Sequence, residues 1–414
     1  MTVTDLSSQS FWALSPAERE LTFAELRAKD PISWHKQPEG TLMPAEEGSG
    51  GYWAVVRYDD VRTVSRDPGR FRSGQGVLFE DFPEEILEAS QSFLATDDPR
   101  HKVLRGLVAE GFKPRQVKQI EDGIRADARQ IVADLEPDSE GDFVDLVAKR
   151  LPMMTVMRML GAPEDDWERV IGYIDRAIAW SDPEIRGDRE PIEVMAEAMM
   201  EMTQTALDVA AARREEPDED LMGALVDAEV DGERLTDAEI AAFFVLLSVA
   251  GNDTTRHTTS HAMRALSVHP DQRQLLLADL TGGIDDAVEE FVRWASPIMT
   301  FRRTATEDTE LAGQAIAAGD KVVMFYPSAN RDESVFEDPN RFEITRSPNR
   351  HVGFGGGGPH FCMGASLART SLKAIFSELF TAYPRLEVSE PTHVAGNFVS
   401  AVSAMPMRTG PYHS

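Results

Sequence analysis

The sequence predicts a mainly α fold with small β-sheets. Three observations lead there. Helical patterning dominates residues 115–235 and runs on into the longest periodic segment, Thr236 to His269. Strongly β-like patterning is concentrated in Phe301 to Tyr326. The stretch His351 to Gly364, HVGFGGGGPHFCMG, holds the only cysteine, Cys362, just ahead of an apolar-periodic helix, Ala365 to Phe380.

Length and charge set the outer limits. A chain of 414 residues can bury a large core, and no Pro/Ser/Gly-rich linker, tandem repeat or low-complexity tract divides it. One domain over residues 1–414 is therefore expected, with 1–30 partly a tail and β-rich parts near 31–60, 298–326 and 385–410. A formal charge of −29 and a pI near 4.7 argue against nucleic acid or an anionic membrane as main partner. One cysteine forms no internal disulfide, which fits a reducing cytoplasm. The first twenty residues lack a long apolar run, so neither a signal peptide nor a membrane anchor is expected, and a monomer is the default.

Taken in order, Ser15-Pro16 starts a short helix, and Tyr52–Val56 is a strand leading into a helix over Arg57–Ser65. Gly74–Phe79 is a loop with apolar tips, a connection or a lid. Asp97 to His101 opens a helix on which His101 and Arg105 share a face. Two such cations can bind a carboxylate pair; the plainer reading is a solvated face. Gly161-Ala162-Pro163 and Ser181-Asp182-Pro183 break the helical region. Met195, Met199, Met200 and Met202 either fill core or line a site for irregular apolar ligands.

The long segment opens with a capping box, Thr236 and Glu239, and Ile240–Ala250 is apolar all round, which predicts a buried central helix. Ala250-Gly251-Asn252-Asp253-Thr254-Thr255 then conflicts with a buried helix interior. Ala250 and Gly251 remove bulk where a flat ligand could approach. The Thr254 hydroxyl can bond the i−4 carbonyl or a small ligand and open the helix locally. Asp253 can relay protons through water. A kink with solvated polar groups is the alternative.

Glu290 and Arg293 sit i,i+3 on a helix, Asp285–Trp294. Phe301–Ala305, Glu310–Gln314 and Lys321–Tyr326 are short strands, Asn330–Phe342 is a polar meander, and Asn397–Val402 is a strand or hairpin. In the glycine-rich loop, backbone N–H groups and a helix dipole should lower the Cys362 thiol's pKa. One thiolate on such a loop suits a single axial bond to haem iron. Two plainer readings stand beside it. A lone cysteine is usually a small buried hydrophobe. Gly353, Gly355 and Gly358 also spell GxGxxG, but RSPNR before them is no strand and about fifty residues follow.

Together these features resemble the cytochrome P-450 monooxygenases of the soluble bacterial class, from about Tyr52 to Met407. The motifs come in the family's order: AGNDTT on the central helix, ExxR at Glu290 and Arg293, the meander, and the Cys362 loop. Phe354 lies eight residues before Cys362, where the commonest pattern has seven; Gly358, His360 and Gly364 keep their places. That extra residue, with FRRTATEDTELAG and AGNFVSAVSAMP, is similar to members acting on sterols and methyl-branched lipids.

The resemblance implies a fold with haem b between the central helix and the cysteine loop. Cys362 would be the iron ligand, with Phe354 packed beside it. His101, Arg105, Arg303 and His351 would hold the propionates, with His360 a further candidate. Glu290 and Arg293 would tie the meander down, through Arg341. Asp253 and Thr254 would be the acid and the alcohol that hand protons to dioxygen. Val77, Leu78, Phe79, Leu246, Val249 and Ala250 would line the substrate pocket, together with Ile298, Met299, Val399 and Ser400. No flavin or Fe–S cysteine cluster is present, so electrons from NAD(P)H would arrive through a separate reductase and a ferredoxin or flavodoxin. That donor would dock near Lys113, Arg115, Lys118, Arg369 and Lys373. Insertion of oxygen into a C–H bond of a terpenoid, steroid or branched aliphatic is the expected reaction. A peroxide-driven haem-thiolate enzyme, a haem-binding sensor and a nicotinamide dehydrogenase are the competing functions.

Overall fold

The computed structural model describes residues 5–38, 50–81, 92–110, 114–180, 182–230 and 232–413. The central helix runs unbroken from Asp237 to Val268, and both hydrogen bonds of the Thr236/Glu239 capping box are present. Its hydrophobic N-terminal half packs against the helix Pro191–Glu215, and its C-terminal half against Arg150–Met159 and Leu280–Ala295. One apolar core joins this C-terminal half to Leu280–Ala295 and to the cysteine helix Ala365–Ala382, around Phe291, Phe342 and Phe376. A second core, with Phe243, Phe244 and Met202, gathers around the N-terminal half of the central helix. Thr254 does bond the Ala250 carbonyl, at 2.8 Å, and the α-helix runs on through this point without a break.

Five strands form the main sheet: β1 (Ile32–Lys36), β2 (Gly51–Val55), β3 (Phe71–Arg72), β4 (Thr300–Ala305) and β5 (Lys321–Phe325). Their order is β1-β2-β5-β4-β3, with β2 and β5 parallel (Trp53 opposite Val322) and the other pairs antiparallel. The expected strand Glu310–Gln314 is instead a tight hairpin, Thr309–Leu311 against Gln314–Ile316. Ala312 and Gly313 turn it with φ of 49° and 86°, values an extended strand cannot hold. In the segment Asn397–Val402, Val399 bridges Ile298, and the strand proper is Val402–Ala404. No helix among the described residues is long and apolar enough to cross a membrane. Lys113 and Ser181 lie outside the described residues, as does the Arg115 side chain.

Candidate active site

A cavity of about 280 Å³ separates the central helix from the cysteine loop. Ala250, Asp253 and Thr254 line one wall; Phe354, Gly355, Cys362 and Gly364 line the other. The loop closes on itself. The Cys362 N–H donates to the Phe354 carbonyl at 3.0 Å, and the Gly355 N–H to that of Val352 at 2.9 Å. The eight-residue spacing therefore still sets Phe354 beside the cysteine. Its ring carries the Arg369 guanidinium at 4.4 Å.

Part of the glycine run is packed against protein. Gly358 has φ of 79°, and a Cβ there would lie 2.4 Å from the Ser65 carbonyl oxygen. The glycine run docks onto the helix Tyr58–Arg66, held by Ser65 Oγ donating to Gly357 (2.8 Å) and Arg66 Nε donating to Gly356 (3.1 Å). Gly251 likewise makes room for a protein neighbour: its Cβ would meet Val156 Cγ2 at 2.6 Å. Ala250 and Gly251 both line the cavity.

Cys362 lines this cavity, with protein closed around the rest of its side chain. Burial among apolar groups pushes its thiol up, against the Gly364 amide and the Arg105 and Arg369 charges. The expected lowering is thus reversed: desolvation of the anion outweighs the dipoles aimed at it. A metal cation held by this sulfur would supply the missing charge.

At one edge of the cavity sit Arg105, Arg303 and His360. His101 stands behind His360, with ring centroids 4.3 Å apart. Arg105 donates to the Phe361 carbonyl (2.6 Å) and Arg303 to that of Arg302 (2.7 Å). Among the described residues neither has a carboxylate partner, and burial pushes both guanidinium pKa values down. His101 Nε2 and His360 Nδ1 are buried without a hydrogen-bond partner. Burial, then the charges of Arg303, His101 and Arg105, drive His360 to about 2. Asp98 faces His101 Nδ1 at 3.4 Å, but the two guanidinium groups of this edge face no carboxylate among the described residues. His351 is not part of it: its Nε2 faces Glu289 at 3.0 Å and its Nδ1 accepts from the Gly353 N–H. Glu289, in turn, pairs with Arg369. Burial raises the Glu289 carboxyl, but Arg369 and His351 together bring it to about 2.

No group of three or more His, Cys, Asp or Glu side chains among the described residues could hold a bare metal ion. An ion bonded to Cys362 would have to bring its other ligands with it. Haem, a flat ring with two propionates for the cationic edge, fits these residues.

Across from Cys362, Asp253 is buried, with Oδ1 accepting from Asn252 Nδ2 at 3.1 Å. Oδ2 lies 3.9 Å from His257 Nε2. Burial, reinforced by Asp175 and opposed by Arg256, pushes the Asp253 carboxyl up to about 7. Between the ordinary carboxylate range and about 7 the native state holds a proton that the unfolded chain releases. Stability from this group is full below that window and is lost as pH rises through it. Asp253→Asn should therefore flatten the fall in stability between about pH 5 and 8, by at most ~1.4 kcal/mol per pH unit. Urea midpoints across that range read it; parallel curves for variant and parent would count against the raised carboxyl.

A family model described as Cytochrome P450 matches residues 283–397. The chain is 41% identical over 408 residues to the methyl-branched lipid omega-hydroxylase of Mycobacterium tuberculosis (strain ATCC 25618 / H37Rv), covering 97% of this chain and 94% of the relative. It is 38% identical over 385 residues to the steroid C26-monooxygenase of Mycolicibacterium smegmatis, covering 92% and 88%. A solved Mycobacterium marinum cytochrome P450 in complex with pseudoionone is 53% identical, matches with a TM-score of 0.94 and is covered to 98%, as is this chain. The chain belongs to the cytochrome P450 family. Its cofactor is haem with a thiolate ligand, and it is a monooxygenase that depends on a redox partner.

In this P450 a second cavity, of about 920 Å³, continues from the first. Leu94, Leu246, Val249, Phe398 and Val399 line both. Of the expected pocket residues, Ala250 and Ile298 line the first cavity, and Val77 and Leu78 the second. Three do not reach either. Phe79 packs edge-on against Tyr52 at 4.6 Å, Met299 is core beside it, and Ser400 is bonded to His261. Alternation turns Met299 and Ser400 away from the side that Ile298 and Val399 present, whereas Phe79 is held among Tyr52 and Phe325. Met195 and Met199 do line the second cavity, whereas Met202 is core and Met200 exposed. Phe301, Phe398 and Leu94 went unnoticed in the sequence; no local pattern distinguishes them.

Glu290 and Arg293 are fully buried. Arg293 grips both Glu290 oxygens at 2.7 Å and donates to the carbonyls of Asn330, Pro339 and Arg341. The link to Arg341 runs through its main chain. The guanidinium that joins Glu290 is that of Arg346, at 3.4 Å, because the meander turns it inward. The expected basic docking patch is neutralised where described: Lys118 pairs with Asp122, Arg369 with Glu289 and Lys373 with Asp285.

Proposed function

We propose that this P450 hydroxylates methyl-branched aliphatic lipids. The observation that carries the reading is the long cavity running from Cys362 past the central helix, lined by Val77, Leu78, Met195, Met199 and Ile192. Methionine's adaptable side chain accommodates branches that a rigid aromatic slot would exclude. The names of the methyl-branched lipid hydroxylase and of the pseudoionone complex support the same class. A steroid is the second reading, favoured by the cavity's volume of about 920 Å³ and by the steroid monooxygenase relatives.

The reaction inserts one atom of dioxygen into a C–H bond and releases the other as water, taking up two electrons and two protons. Haem supplies dioxygen activation and hydrogen abstraction when bound. Cys362 Sγ would hold it from below, and Arg105, Arg303, His101 and His360 would take its propionates. Apolar walls orient the chain and keep bulk water out. Thr254 Oγ, now donating to Ala250, can turn about χ1 and present its proton to the cavity. Asp253, titrating near neutrality, refills that proton from Oδ2. The presence of this acid–alcohol pair weighs against a peroxide-driven enzyme and against a sensor, neither of which needs protons delivered. Electrons would come from NAD(P)H through a separate reductase and a ferredoxin or flavodoxin, with the enzyme working as a cytoplasmic monomer.

Thr254→Ala tests the assignment. Haem and lipid binding should persist, read by absorbance, while product per NADH falls about tenfold or more and peroxide rises. Undiminished coupling would remove Thr254 from proton delivery.

A further inference from the structure

The second cavity has one cation in its lining among the described residues, Arg186. Arg186 ends the short turn Pro183–Arg186 and is half-buried. Its Nη1 makes a weak bond to the Arg189 carbonyl at 3.3 Å, and its Nε is buried with no acceptor. Arg189, three residues on, is by contrast paired with Glu197.

The two acids in the same lining do not answer Arg186. Glu190 is exposed and heads the helix Pro191–Glu215, where backbone N–H groups favour its charge. Glu80 is buried and bonded by Asn397 Nδ2 at 2.5 Å, and burial raises its pKa. A guanidinium facing an apolar cavity with an unused donor is costly unless an anion completes it. The arginine fork matches a carboxylate with two parallel hydrogen bonds.

Position gives this pair a consequence. Arg186 belongs to the second cavity alone, whereas Cys362 belongs to the first, and the two join through Leu246, Val249 and Val399. A chain fixed at Arg186 by one end must send its other end toward the thiolate.

We propose that Arg186 anchors the carboxylate of a long-chain, methyl-branched monocarboxylic acid, so that hydroxylation falls on the end remote from the acid. This rests on the lipid reading above and narrows it: the substrate is the free acid rather than a neutral lipid, and Arg186 is a specificity-determining residue.

The test is an absorbance titration of the ferric haem protein with an iso-branched long-chain fatty acid and with its methyl ester. Parent, Arg186→Gln and Arg186→Lys are compared. In the parent the acid should bind about tenfold tighter than the ester or better. That ratio should fall to near one in Arg186→Gln and to an intermediate value in Arg186→Lys, where a point charge replaces the fork. High salt should change the ratio little, because the pair is partly buried. Turnover of the acid by Arg186→Gln should spread hydroxylation over several carbons. Equal affinities in the parent, or an undiminished ratio in Arg186→Gln, would overturn the anchor while leaving the lipid reading in place. A spectral change with neither compound, but with a steroid, would overturn the lipid reading and the anchor with it.

Discussion

Arg293→Lys is expected to give a protein that does not reach a stable, haem-binding fold. Arg293 has no exposed surface and spends three nitrogens on five acceptors: both oxygens of Glu290 and three meander carbonyls. Lysine keeps the charge but offers one nitrogen with three donors, and it cannot span acceptors on opposite sides. Glu290 would lose its bidentate partner inside a dry core, with Arg346 at 3.4 Å the main remaining cation. Breaking a buried pair in this way costs about 3–5 kcal/mol, against a net stability of about 5–15 kcal/mol. The freed carbonyls belong to the meander, which leads directly into the cysteine loop, so loss of haem should accompany loss of fold. The urea midpoint and the haem-to-protein ratio after purification read the two effects. A variant with the parent's midpoint and full haem content would refute the structural role given to the pair.

Cys362→Ser should abolish thiolate ligation, and monooxygenase turnover should drop below about one-thousandth of the parent's. Nothing else among the described residues can replace the sulfur: no second cysteine exists, and His360 is turned to Ser73 Oγ at 3.1 Å. The cationic edge is untouched, so the variant should still bind haem, with reduced affinity. Burial already disfavours an anion at this position, and a serine hydroxyl is far harder to ionise than a thiol. The reduced carbonyl spectrum decides it. The parent should show the strongly red-shifted Soret band of a thiolate, and the serine variant should not. An unshifted band in the parent would mean that Cys362 is not bonded to iron.

Much of this was legible in the chain because the signals are local or are conflicts with a local rule. Thr236 and Glu239 announce the start of the central helix, and AGNDTT declares a cost that a plain buried helix would avoid. A lone cysteine amid glycines, ahead of a helix, marks the loop. Periodicity places the helices, and turn residues place most of the strands. Resemblance added roles that no spacing contains, such as the partnership of His101 and Arg105 with the distant Arg303.

Tertiary structure decided the rest, because it concerns which side chains meet across separate segments. The sequence marks Gly358 and Gly251 as permissive backbone; only the packing shows that Ser65 and Val156 occupy the space they leave. His351 carries no mark of its commitment to Glu289, nor Arg341 of yielding its place to Arg346. Phe79 and Met299 look as apolar as Val77 and Ile298, and only the packing puts them in the core and not in the cavity. The thiol's pKa follows the same logic. Dipoles can be counted along the chain, but desolvation is set by neighbours from everywhere, and here it wins. The sequence by itself determined the family and marked Cys362, Asp253 and Thr254 as the candidates for ligand and proton-donating pair. The shape of the cavity, and the unpaired arginine within it, exist only once the chain has folded, because non-local contacts are what define a surface.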